Sequence, residues 1–284
     1  TGNAATRGGG VLSQGNNSMM LRNSRLHANN SIAGGGGLWL DGNFDSETFQ
    51  TIDNVTIHNN SSSSMGGGIK LYNNRSKITN CSVKNNSGSN GGGVYSWKSQ
   101  STITNSFIDN NVTNNGQGGG LYATQSQTQV INSSISYNES IDDYGAGIYN
   151  ISGRISIIES TIQGNTTNTR GGGIHSEGTL YISRSRVVDN YAGNTAGGIR
   201  ICCGMSAEVY NTTIAGNNSS NGTSNGFELV GGPGFLTLKN SILWNSGTHE
   251  ISFDEDPEPW SLDVEYSVIK NGQDGVQDRG YSYI

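Results

Sequence analysis

Gly91-Gly92-Gly93-Val94-Tyr95 decides the fold, because the same phrase returns along the whole chain. Gly8-Gly9-Gly10-Val11, Gly35-Gly36-Gly37-Leu38, Gly66-Gly67-Gly68-Ile69 and Gly118-Gly119-Gly120-Leu121 repeat it. So do Gly145-Ala146-Gly147-Ile148, Gly171-Gly172-Gly173-Ile174 and Ala196-Gly197-Gly198-Ile199. The closing apolar residues fall at 11, 38, 69, 94, 121, 148, 174 and 199, with spacings of 27, 31, 25, 27, 27, 26 and 25. A period in the twenties marks a solenoid, in which each repeat stacks on the next and cannot bury its apolar face alone.

A second motif, Asn-Ser-x-apolar-x-x-Asn, runs in step with the first, as in Asn105 to Asn111 and Asn132 to Asn138. It starts at 23, 54, 80, 105, 132, 159, 184, 211, 240 and, more loosely, 266. Stacked copies give an apolar column of Leu26, Ile57, Val83, Ile108, Ile135, Ile162, Val187, Ile214, Leu243 and Ile269. A second column lies five residues earlier, from Leu21 and Ile52 to Leu238 and Val264, and the residue closing each Gly motif supplies a third. β-Branched residues at alternate positions specify strands, and no segment holds a helical period. The reading is an all-β, parallel β-helix of about ten coils, with three short strands per coil. At about 4.8 Å per coil the stack is roughly 48 Å long. It forms one domain over 1–284, regular over about 8–246 and irregular, with an acidic insertion, over 247–284.

Polar letters repeat as strictly. The closing Asn recurs at 29, 60, 86, 111, 138, 165, 190 and 217. Asn tolerates a left-handed corner, and its amide can bond its counterparts one coil away, a ladder that stabilises and does no chemistry. The second residue of the Asn motif is small, as a narrow interior requires. The Gly triplets allow positive φ and close backbone approach at another corner. Polar loops between the closing Asn and the next Gly motif should project from one edge. Sequons such as Asn16, Asn54, Asn111, Asn138, Asn165 and Asn221 make glycosylation in exposed loops an expectation.

A formal net charge of −6 without a basic run argues against nucleic-acid binding. No apolar run approaches the roughly 20 residues of a membrane helix. No signal peptide is visible, and the opening inside a repeat at Thr1 reads as a mature or excised piece of something longer.

The Gly-Gly-Gly-apolar and apolar-x-x-Asn phrases (Ile57 to Asn60, Ile108 to Asn111, Ile162 to Asn165) resemble the repeats of the chlamydial polymorphic outer-membrane proteins and related bacterial surface proteins. Those carry Gly-Gly-Ala-[Ile/Leu/Val] and Phe-x-x-Asn; here a third Gly replaces Ala, and Ile or Val replaces Phe. The resemblance covers about 8–246 and implies a right-handed β-helix on a secreted or surface protein. No autotransporter barrel is in this chain, so that export route is not implied. The wider pectate-lyase-like superfamily holds lyases, hydrolases, epimerases and tailspikes, so the fold does not fix the function.

Several groups are candidates for chemistry. The residue after each Gly-motif apolar should point outward, giving Trp39, Lys70, Tyr95, Tyr122, Tyr149, His175, Arg200 and Glu228. His175, Arg200 and Glu228, with Glu177 beside them, are the weak catalytic candidates; a glycosidase needs two carboxyls about 5 to 10 Å apart. Trp39, Tyr95, Tyr122 and Tyr149, with Tyr72 and Trp97 alongside, are the ligand-binding candidates, since aromatic faces suit sugar rings or a partner's apolar surface. A cross-coil stack that only stabilises the sheet is the equal alternative. Asp41, Asn43, Asp45 and Glu47 alternate oxygen ligands as a Ca²⁺ loop begins, without its Gly or its closing Glu; Ca²⁺ is the candidate cofactor there, and a solvated polar loop is the favoured alternative. The acidic run Asp254, Glu255, Asp256 and Glu258 reads as solvated, and His27 and His58 as surface residues. Cys202 and Cys203 are the candidate disulfide, but a vicinal bridge is strained and free thiols are favoured.

The expected function is a non-enzymatic extracellular or cell-surface β-helix, structural or adhesive, requiring no cofactor. Its unpaired edges allow copies to stack end to end into a filament. A polysaccharide lyase or hydrolase, or a carbohydrate-binding module, is the alternative.

Overall fold

The computed structural model describes residues 1–15, 18–44, 48–222, 224–253 and 260–277, and the backbone of 282–283. The chain is a right-handed parallel β-solenoid of about ten turns. Each coil pairs in register with the coils above and below. Val94–Trp97 lies between Ile69–Tyr72 and Leu121–Thr124, with Val94 opposite Ile69 and Leu121. These Gly-motif strands form the first ladder. The second contains Gln100–Thr104 between Arg75–Thr79 and Gln127–Ile131. The third contains Phe107–Asp109 between Ser82–Lys84 and Ser134–Ser136.

A fourth ladder corrects the expected three. Two-residue strands, among them Ser61–Ser62, Ser87–Gly88, Val112–Thr113 and Glu139–Ser140, stack immediately after the closing asparagine. Their inward side chains are Ser, Thr, Gly or Ala, too small to give an apolar signal.

The three apolar columns meet in one continuous core. Ile57, Ile103, Val130, Ile135, Ile157, Ile162 and Ile174 are all fully buried in it. Its corners explain the glycines. Gly91 sits at φ 61°. A Cβ on Gly92 would stand 2.5 Å from the Val112 carbonyl oxygen, and one on Gly93 would stand 2.6 Å from that of Gly120. The first position takes a left-handed backbone, which glycine adopts without strain and Ala196 also adopts in its coil at φ 57°; the next two glycines admit the backbone of the adjoining coil.

The closing asparagines form the expected ladder, but not at a left-handed corner. Positive φ belongs to the residue before each, as in Asn59, Asn85 and Asn110. In the ladder, Asn138 Nδ2 donates to Asn165 Oδ1 at 3.0 Å and to the Ile108 carbonyl at 2.9 Å. Its own Oδ1 accepts from both the backbone N–H and the Nδ2 of Asn111. The series runs from Asn3 through Asn245 and ends on Glu250, whose carboxylate accepts from the Asn245 backbone N–H and Nδ2. A second ladder uses the small residues of the Asn motif: Ser106 N–H donates to Ser133 Oγ, and Ser133 N–H to Ser160 Oγ.

Candidate functional site

The outward column of the first ladder is in place, yet it is not an open face. Trp39, Lys70, Tyr95, Tyr149, His175 and Arg200 are buried; Tyr122 and Glu228 are half-buried. Their side chains leave the coil interior because strand residues alternate in direction. In two coils the residue just ahead of the Gly motif borders them. Tyr144 stacks on His175 at 4.8 Å between ring centroids, and Thr195 donates to Glu228 Oε2 at 2.8 Å. Both escape a reading confined to the glycine phrase; the signal was one residue upstream of it.

In the N-terminal half the column is aromatic and cationic. Lys70 Nζ lies 4.0 Å from the centroid of Trp39 and donates to the Ala33 carbonyl at 2.9 Å. Burial, then Arg7, pushes the Lys70 pKa down. Tyr95, Tyr122 and Tyr149 follow as stacked rings with centroids 5.2 Å apart. This is the coil spacing expressed in side chains. Burial pushes the Tyr95 phenol up to about 12. Tyr72 and Trp97 stack alongside at 4.3 Å and are half-buried.

In the C-terminal half the column becomes charged. His175 is fully buried and stacks on Tyr149 at 5.0 Å. Its Nε2 lies 3.2 Å from Glu177 Oε1 and 3.4 Å from Arg200 Nη1. Protonated, that nitrogen donates to the carboxylate; deprotonated, it accepts from the guanidinium. Its buried Nδ1 has no partner among the described residues. Burial dominates and holds the His175 pKa below the usual imidazole range, against the opposing hydrogen bond from Glu177. Glu177 is held low, first by the His175 hydrogen bond. Tyr149 O–H also donates to Glu177 at 2.7 Å, and burial followed by this contact pushes the phenol up. Arg200 Nε donates to Glu228 Oε2 at 2.8 Å. The four catalytic candidates therefore do meet, as one hydrogen-bonded group.

The other candidates lie apart. Asp41 Oδ2 accepts from Gln14 Nε2 at 3.3 Å, while Asp45 and Glu47 lie outside the described residues, as do Asn16 and the acidic run 254–259. Among the described residues, no three of His, Cys, Asp or Glu gather as a metal site. His27 and His58 stack at 5.1 Å. The sequon asparagines 111, 138 and 165 are ladder members, buried with the amide nitrogen fully engaged. Asn54 and Asn221 are exposed. Among the described residues no helix is long and apolar enough to cross a membrane.

Residues 1–108 match the family model described as a right handed beta helix region. That class of protein is the one the coils define. No curated protein and no solved structure matches the chain.

Proposed function

We propose that the protein is a non-enzymatic β-helix with a structural or adhesive role, its coils supplying length and a rigid display face. The observation that carries this reading is the closure of the charged group upon itself. Arg200 and Glu228 keep only 7% and 15% of their side-chain surface, and His175 keeps none. General-acid catalysis of glycoside cleavage needs a carboxyl that stays protonated and has room to reach the leaving oxygen. Glu177 is instead held ionised by His175, and Glu228 is tied to Arg200 and Thr195. An extracellular or cell-surface setting, and the resemblance to the polymorphic outer-membrane repeats, belong to the same proposal.

The test is incubation with a panel of acidic and neutral polysaccharides, read as new reducing ends and as unsaturated products. No cleavage is expected. Turnover that disappears in folded Glu177→Gln or Glu228→Gln protein would make the chain an enzyme.

A second reading is glycan binding beside the column, favoured by the half-buried Tyr72–Trp97 stack. A flat, partly wet aromatic pair offers an apolar platform to a sugar ring. Trp97→Ala should then abolish retention on a glycan array while the β-sheet circular dichroism of the folded parent is kept; unchanged retention rejects this platform.

A further inference from the structure

The strand Ile199–Cys202 ends where its coil turns from the first ladder into the second. The sulfurs of Cys202 and Cys203 face each other 2.6 Å apart, and both thiols are free. Successive side chains of a strand point to opposite faces. A turn is what brings these two together, and Cys203 makes it with a left-handed φ of 68°. Asn73, Lys98, Gln125 and Ser152 hold the same place after the first-ladder strand, with φ of 51°, 45°, 50° and 53°. The bend thus belongs to the coil, and the cysteines exploit it. Cys203 is exposed and Cys202 half-buried. Cys81 is different: it is buried, with its thiol directed to the carbonyls of Thr79 and Ile52.

We propose that Cys202 and Cys203 form a reversible redox site, which closes to a vicinal disulfide with a thiol–disulfide oxidant and reopens with a dithiol. Oxidised glutathione is the oxidant used as probe. One thiolate attacks a glutathione sulfur and expels the first reduced glutathione. The neighbouring cysteine loses its proton and attacks the protein-side sulfur of the mixed disulfide. The Sγ–Sγ bond forms and the second glutathione leaves as a thiol. The protein gives up two electrons and two protons, and the oxidant becomes two thiols. Adjacent Cα atoms stand about 3.8 Å apart across a trans peptide, against a usual disulfide span of about 4.4–6.8 Å. The closed ring is therefore strained and easily reduced, which makes it reversible. Partial desolvation in the turn, followed by the Cys202 thiol, pushes the Cys203 pKa up. Oxidation should accordingly quicken as the pH is raised, because the thiolate is the nucleophile.

The experiment uses the full chain, reduced, desalted and exposed to oxidised glutathione. Expected are the loss of two hydrogens by intact mass, a fall from three titratable thiols to one in denaturant, and a peptide map that places the bridge at 202–203. A dithiol should restore all three thiols. Cys203→Ser should keep both remaining thiols or gain a single glutathione, with the β-sheet circular dichroism of the parent. A stable glutathione adduct on the parent without ring closure, a disulfide-linked dimer, or an unchanged thiol count would each overturn the proposal.

Discussion

Two columns run along the coils on opposite sides of the backbone, and they are built by opposite rules. Inside, the asparagine ladder repeats one residue type from Asn3 to Asn245. Outside the first ladder, the column changes from Trp39, Lys70 and three tyrosines to His175, Arg200 and Glu228. The inner position must donate twice and accept twice from identical neighbours without adding volume, and asparagine alone of the short side chains does both. The outer position needs only a flat or charged group that its next neighbour can stack on or pair with. Uniformity marks a constraint imposed by both neighbours. Variety marks one imposed by contact alone. Glu250 follows from the first rule, because the last donor pair requires an acceptor that need not donate onward.

Breaking the inner column should have the largest effect. Asn138→Ala removes both donations of the amide and strands the buried backbone N–H of Asn111 and one of its two Nδ2 hydrogens, the other staying on the Val83 carbonyl. Each orphaned buried group costs about 1–3 kcal/mol, so a loss of about 4 kcal/mol is expected. Urea unfolding measures it as a lowered midpoint at constant slope. A loss under about 1 kcal/mol would show that the ladder merely decorates a stack held by its backbone.

The outer column should be nearly as sensitive where it is charged, but for a reason that can be undone. Arg200→Met leaves the Glu228 carboxylate half-buried against Thr195 with no cation. Removing one partner of a buried pair costs about 3 kcal/mol, and replacing both by apolar residues recovers most of it. Urea midpoints of Arg200→Met and of the Arg200→Met, Glu228→Leu double variant read this directly. A double variant no more stable than the single one would mean that the ion pair is not the unit. An asparagine pair changed to alanine should show no such recovery, since backbone groups stay unsatisfied.

These differences mark how far the sequence could be read. The apolar columns were legible because burial on one face of a strand imposes period two within a coil, and stacking imposes a period in the twenties between coils. The fourth ladder was not, since Ser61–Ser62 and Ser87–Gly88 pair through the backbone and carry no apolar residue. The left-handed position was misplaced by one residue, at Asn60 rather than Asn59, because both are asparagine and either suits a corner. Periodicity also gave the direction of Tyr149 and His175 relative to the coil, but not their burial. Burial depends on Tyr144 and Thr195, in segments whose length varies between coils. Glu250 lay off the repeat altogether, five residues beyond its partner Asn245.

Acid should separate the two columns without mutation. The ladder has no titrating member before Glu250, whereas His175 is kept neutral by burial. A histidine with a depressed folded pKa contributes stability that is complete above its unfolded value of 6.5 and is lost as the pH falls below it. Glu177 acts in the same direction at lower pH, its contribution disappearing below the unfolded value of 4.5. Urea midpoints should therefore decline on acidification from near neutrality, by at most about 1.4 kcal/mol per pH unit for the single histidine. His175→Phe keeps a flat ring between Tyr149 and Tyr144 and removes the proton site. Its profile should flatten between the two unfolded values; an unchanged slope would assign the acid sensitivity to other groups.

The smallest effect tests whether position or solvent exposure governs the outer faces. Phe107 points outward from the third ladder, 56% exposed, in register with Ser82 and Ser134. Among the described residues no segment covers it as Tyr144 and Thr195 border the first-ladder column, and its neighbours in register, Ser82 and Ser134, are too small to continue a stack. Phe107→Ser gives that coil the residue of the coils on either side. The midpoint should move by less than about 0.5 kcal/mol, as for most surface substitutions. A larger loss would mean that a lone exposed ring stabilises the sheet by itself. The stacked tyrosines would then owe their contribution to the strand surface beneath them rather than to one another.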